Sequence, residues 1–140
     1  MDKHIANCAC NAVEVEITGA PAVMAYCHCQ SCRSWLGAPI HAATLWPTSD
    51  VNVTRGEALL GVYKRTEESH RQFCTQCGSP VLIRHPNMGM TDVPAGNVKN
   101  LTFEAALHVH YAEHVLPVRD GLPKFVAMPA ADGSGDTLEE

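Results

Sequence analysis

All seven cysteines of this 140-residue chain fall within three short motifs. They read Cys8-Ala9-Cys10, Cys27-His28-Cys29-Gln30-Ser31-Cys32 and Cys74-Thr75-Gln76-Cys77-Gly78. Spacings of one or two residues aim neighbouring thiolates at a single ion from one tight turn, which is how chains assemble tetrahedral zinc sites. Number matters as much as spacing. A closed structural zinc takes four thiolates, leaving three; three protein ligands leave one position open, as catalytic zinc sites do. The count points to one structural and one working metal.

The remaining composition narrows the class. The length suits one domain, expected over residues 1–128, with metals reinforcing its core. Residues 129–140 are small, polar and acidic, and are expected to form a flexible tail. The formal charge is -5, from 10 Lys and Arg against 15 Asp and Glu. Filling seven thiolates with two Zn2+ takes it to about -8. That balance argues against a nucleic-acid binder, which needs a basic face to displace phosphate counterions. A local basic pocket remains open to Arg33, Lys64, Arg65 and Arg71. No apolar run is long enough to span a membrane. The start of the chain has no apolar signal region, and the cysteine number is odd, so a reduced, cytoplasmic setting is expected rather than a disulfide framework.

Most of the chain reads as short strands between turn signals. Val13, Val15 and Ile17 alternate with Glu14, Glu16 and Thr18, giving a half-buried strand that ends at Gly19-Ala20-Pro21. Val23–Tyr26, Ile40–Trp46, Val51–Thr54, Leu59–Lys64, Arg71–Cys74, Val81–Ile83, the region of Val93 and Leu107–Tyr111 complete a β-rich inventory. Two short helical turns are expected, over Ser31–Leu36 before Gly37, and over Asn100–Ala106 with Asn100 or Thr102 as cap.

Three groupings of the cysteines compete. A zinc ribbon joins Cys29/Cys32 with Cys74/Cys77. A second scheme joins Cys8/Cys10 with Cys74/Cys77 and leaves Cys27, Cys29 and Cys32 as a tripod. A third joins Cys8/Cys10 with Cys27/Cys29. Local chemistry favours the second. A zinc knuckle wants a glycine after its second cysteine so that backbone N–H groups can turn toward sulfur; Cys77 has Gly78, whereas Cys32 has Arg33. The tripod also closes within six residues, without a long loop.

These motifs carry a resemblance. The chain resembles the glutathione-dependent formaldehyde-activating enzyme (GFA) family, also called the centromere-protein-V/GFA-like domain. The likeness rests on the three cysteine motifs, the latter two extended through Arg33 and over Arg71–Pro80. Thr54-Arg55-Gly56-Glu57, Ala95-Gly96-Asn97-Val98, His108-Val109-His110 and Asp120-Gly121-Leu122-Pro123-Lys124-Phe125 add to it. It departs at Val115-Leu116-Pro117, where members often carry a tryptophan. The resemblance implies a mainly β fold of zinc-containing coiled β-sheets (Mss-type, GFA-like) with few short helices. It implies a structural zinc on Cys8, Cys10, Cys74 and Cys77, and a catalytic zinc on Cys27, Cys29 and Cys32. It also implies a carbon–sulfur lyase that joins glutathione and formaldehyde reversibly into S-hydroxymethylglutathione.

A three-thiolate zinc suits thiol chemistry. Zinc lowers the pKa of a bound thiol, whereas electron donation from three sulfurs weakens it as a carbonyl activator. His28 and His41 are the first candidates for proton transfer, and His108 and His110 are expected to share one strand face. Arg33 is placed for a substrate carboxylate. Trp35 and Trp46 are expected in or near the core. The competing class is a non-catalytic, zinc-stabilised protein-binding module; a redox or metal-buffering protein is a third.

Overall fold

Val15 and Ile17 are fully buried while Glu14, Glu16 and Thr18, which alternate with them, are not. This period-two alternation seats a strand on a core. The computed structural model describes residues 1–140. Its strands are β1 (Lys3–Asn7), β2 (Glu14–Thr18), β3 (Val23–Cys27), β4 (His41–Pro47), β5 (Val51–Arg55), β6 (Leu60–Thr66), β7 (Ser69–Cys74), β8 (Pro80–His85), β9 (Met90–Pro94) and β10 (Leu107–Val109). A single α-helix, α1 (Gln30–Leu36), and five one-turn 3-10 segments complete a mainly β chain. No helix is long and apolar enough to cross a membrane.

The chain divides into two compact units, Met1–Ala22 with Thr44–Thr102, and Val23–Ala43 with Phe103–Glu140. In the first, β2 pairs antiparallel with both β1 and β5. Strands β6 to β9 form an antiparallel meander in register Tyr63↔Arg71↔Ile83↔Asp92. Val13, Val15, Ile17, Trp46, Leu82 and Val93 fill the core. The Trp46 indole N–H donates to Thr44 Oγ1 at 2.8 Å, which satisfies its one buried polar atom. Cys8 and Cys74 lie in the same cluster.

One turn of this unit depends on glycine. Gly56 adopts φ 77, and a Cβ there would come within 2.2 Å of the Ala12 carbonyl oxygen. Arg55 donates to Glu14 Oε2 and to the Asn11 carbonyl, so the turn is fastened across the loop that follows Cys10. Left-handed strain and backbone overlap together cost a side chain about 2–3 kcal/mol. Gly56→Ala is therefore expected to lower the Tm by roughly 5–10 °C in a thermal melt.

In the second unit β10 runs parallel to β3, pairing Leu107 with Ala25 and Val109 with Cys27. The tail expected at 129–140 returns to the chain: Phe125 bridges Thr137, Val126 N–H donates to the Asp136 carbonyl, and Leu138 N–H to the Lys124 carbonyl. Two local expectations change. β1 was not anticipated, because Lys3–Asn7 has no clean alternation and owes its strand to the pairing with β2. The helix expected over Asn100–Ala106 does not form. Asn100 takes a left-handed φ of 60, whereas an N-cap needs extended backbone.

Candidate metal centres

Four thiols, those of Cys8, Cys10, Cys74 and Cys77, lie with all sulfurs within 4.8 Å of one another. Two hairpin-like turns bring them there. Cys8, just past β1, has its carbonyl accepting from Asn11 N–H and its sulfur accepting from Val13 N–H at 3.2 Å. Cys74 ends β7, and its carbonyl accepts from Gly78 N–H at 2.7 Å. Gly78 has φ 79, the left-handed conformation that closes such a knuckle. The Ser79 hydroxyl accepts from Ala9 N–H and so links the two turns. Cys8 and Cys74 are buried, Cys10 and Cys77 exposed. The backbone N–H groups of Ser79 and Cys10 hold the Cys77 thiol down to about 6, outweighing burial.

The three central thiols form a separate group, again within 4.8 Å. Cys27 ends β3, Cys29 caps α1, and Cys32 lies in its first turn. The Cys29 sulfur replaces the usual capping oxygen, accepting from Cys32 N–H at 3.3 Å and lying 3.3 Å from the Ser31 hydroxyl. At the far end Gly37 N–H donates to the Arg33 carbonyl. The neighbouring Cys27 and Cys32 thiols, with Ser31 and the Cys32 N–H, lower Cys29 against its burial. The Cys29 and Cys32 thiols, then burial, raise Cys27. Negative charge therefore settles first on Cys29, and three thiolates this close require a cation to offset their repulsion.

Both groups fit a tetrahedral ion. Sulfur ligands at ~2.3 Å from such an ion stand about 3.8 Å apart. The sulfurs are 3.6 Å apart for Cys8–Cys10, 3.9 Å for Cys10–Cys74 and 3.5 Å for Cys27–Cys29. Soft thiolate donors in that geometry match zinc chemistry. No disulfide forms; all seven cysteines are free. The group of three gains no further His, Cys, Asp or Glu ligand.

His28, between two of these thiols, is held at three points. Its N–H donates to the Val109 carbonyl at 3.1 Å, its carbonyl accepts from Arg33 Nε at 2.9 Å, and its ring Nε2 is 2.8 Å from His108 Nδ1. The ring is fully buried, and its Nδ1 has no hydrogen-bond partner. Burial, followed by the positive fields of His108, His114, Lys124 and Arg33, lowers its pKa to about 4, so the ring is neutral at pH 7.

The other sequence candidates are dispersed. His41 is buried on β4 and belongs to neither thiol group. His108 and His110 do not share a strand face: β10 ends at Val109, and His110 turns left-handed, its Nδ1 3.6 Å from Glu113. Trp46 is core, while Trp35 is half-buried on α1. Lys64 and Arg65 are exposed on β6, and Arg71 is buried on β7.

Sequence reasoning named His108 but not the charged groups that meet it behind His28. His108 Nε2 lies 2.7 Å from Asp120 Oδ2. Lys124, fully buried, donates to Asp120 Oδ1 at 2.8 Å, to the Leu122 carbonyl at 3.1 Å and to Glu140 Oε2 at 2.7 Å. Burial raises the Asp120 carboxyl, but Lys124 and His108 outweigh it and hold the group well below the usual carboxylate range. A lysine beside Phe125 and Val126 was the available hint, because a buried lysine requires acceptors.

The model of the glutathione-dependent formaldehyde-activating enzyme family matches residues 3–113. The chain belongs to that family. It is 28% identical over 87 residues to an uncharacterized lyase of Schizosaccharomyces pombe, an alignment covering 62% of this chain and 61% of the relative. A crystal structure of a Rhodobacter sphaeroides protein is similar at a TM-score of 0.57 and 26% identity, covering 70% of this chain and 90% of that one.

Proposed function

We infer that this chain is a zinc-dependent carbon–sulfur lyase acting on a thiol adduct, with glutathione and formaldehyde, to and from S-hydroxymethylglutathione, as the best-supported pair. The observation that carries the reading is the group of three thiols with no fourth His, Cys, Asp or Glu ligand. Family membership and the lyase relative agree with it. Cys27, Cys29 and Cys32 would hold the zinc, which would supply a cationic centre that favours the thiolate form of a substrate thiol. The group of four is then a closed structural site. Seven reduced thiols suit a cytoplasmic compartment.

The bond changes are simple. The thiolate sulfur forms a bond to the aldehyde carbon, the carbonyl π pair moves to oxygen, and that oxygen takes a proton. The lyase direction reverses each change: the hydroxyl loses its proton, the C–S bond breaks, and its electron pair leaves on sulfur.

Arg33 supplies recognition. Its Nε is tied to the His28 carbonyl, which leaves both terminal amino groups available for a carboxylate. Arg33→Ala is expected to raise KM for glutathione about 10-fold or more, the worth of one charged hydrogen bond, while changing KM for 2-mercaptoethanol less than about 2-fold. Steady-state assays with both thiols check this.

The reading as a whole is tested by NMR exchange spectroscopy of glutathione with formaldehyde. The protein should accelerate exchange between free and hydroxymethylated glutathione. Exchange at the rate of buffer alone would instead favour the zinc-stabilised binding module.

A further inference from the structure

Three basic side chains line up on one face of the meander in the first unit. Lys64 on β6 pairs with His70 on β7, and His70 pairs with Arg84 on β8. Residues paired across antiparallel strands share a sheet face, with Cβ atoms about 4.5–5.5 Å apart. Lys64, His70 and Arg84 therefore form one transverse row, which Thr91 on β9 continues. Val62 and Gln72 begin the next row on the same face. Arg71, one residue on from His70, takes the opposite face with Ile83. The basic cluster left open by the sequence is thus assembled differently: Lys64 takes part, Arg71 does not, and His70 and Arg84 join.

Like charges directly opposite across strands repel. Elsewhere this acidic chain pairs its cations: Lys3 with Glu16, Arg55 with Glu14, and Lys124 with Asp120 and Glu140. Lys64, His70 and Arg84 meet no carboxylate, and Glu67 and Glu68 in the turn between β6 and β7 pair with none of them. Arg84 is nonetheless held in place, its Nε donating to Gln72 Oε1 at 2.9 Å, which leaves two terminal amino groups. His70 Nε2, in the middle of the row, is buried and has no hydrogen-bond partner. Buried polar nitrogens in native proteins find partners. An imidazole offers an Nε2–H both as a cation and as one neutral tautomer, and between two cations the acceptor that fits is a negatively charged oxygen.

We propose that Lys64, His70 and Arg84 bind a dianionic oxyanion of the phosphate type. Lysine and arginine bring two fixed positive charges, and a single carboxylate would leave one of them uncompensated. Their backbones stand about 10 Å apart, two strand spacings, a span that two long side chains can close around one tetrahedral oxyanion. Gln72 orients the guanidinium from behind. Val62, exposed on the same face, adds an apolar contact for the organic part of a phosphate ester. The site lies within the first unit and is independent of the reading of the three central thiols.

Titration of the 15N-labelled, zinc-loaded full chain with inorganic phosphate, exchanged for chloride at constant ionic strength, tests the proposal. The ring of His70, assigned by its loss in His70→Gln, and the amides of β6 to β8 should shift saturably. Half-saturation is expected below about 10 mM, about 10-fold tighter than for acetate. Arg84→Gln should weaken phosphate about 10-fold or more, the worth of one charged hydrogen bond. Lys64 is exposed, so Lys64→Gln keeps the fold and should weaken phosphate about 3- to 10-fold. In chloride that variant should melt no lower than the parent, because a like-charge contact is gone, and phosphate should raise its Tm less. Phenyl phosphate binding more tightly than inorganic phosphate supports the site as one for an ester; equal affinity supports it as one for the free ion. Shifts still linear at about 50 mM, the behaviour of non-specific ion binding, would overturn the proposal. So would an unchanged half-saturation in Lys64→Gln, or shifts confined to the cysteine motifs, which would assign the phosphate to a metal centre.

Discussion

Cys32→Ser should abolish turnover while leaving a folded protein that retains one metal per chain instead of two. The serine keeps the backbone N–H that donates to the capping Cys29 sulfur, so α1 loses no hydrogen bond from its first turn. What it loses is a soft thiolate, and a hydroxyl is a poor substitute in a three-ligand site. Loss of turnover of about 10^3-fold or more is expected, beyond the 10- to 100-fold typical of groups that only support a ligand. Metal analysis, circular dichroism and the glutathione–formaldehyde exchange assay should be read together. Full activity with a single metal would overturn the assignment of the three thiols as the working centre.

Cys74→Ala should have the opposite signature, loss of the fold itself. Cys74 is fully buried and Cys8 is 2% exposed, both inside the hydrophobic cluster of Val13, Val15, Ile17 and Leu82. Removing one ligand leaves three thiols without closed coordination at the edge of a core. Structural zinc contributes on the order of 10 kcal/mol of apparent folding free energy, comparable with the whole stability of a domain this size. The variant should give no cooperative thermal transition, and chelator added to the parent should reproduce the loss. A variant Tm within about 5 °C of the parent would show that this unit folds without its metal.

Different spans of sequence explain which features could be read in advance. The thiol motifs and the strand of Val15 and Ile17 are local patterns, set by spacing and by period two. Gly78 marked the knuckle because a left-handed φ is a property of one residue. Asn100–Ala106 failed as a helix for an equally local reason, since Asn100 sits in a conformation that no cap propensity reveals. β1 was invisible because its partner, not its own composition, makes it a strand.

By itself the sequence determined that cysteine motifs of knuckle spacing would form thiol groups able to hold soft ions on a β-rich frame, because ligand spacing and side-chain alternation act over a few residues. Only tertiary structure decided what surrounds them. His108 is 80 positions from His28, and Asp120 a further 12. Their meeting depends on the parallel register of β10 on β3, in which Val109 pairs with Cys27, and on the return of the last residues to Lys124. Register and return are global outcomes of packing, with no short-range pattern to announce them. The buried histidine pair and its carboxylate therefore emerged only from the folded chain.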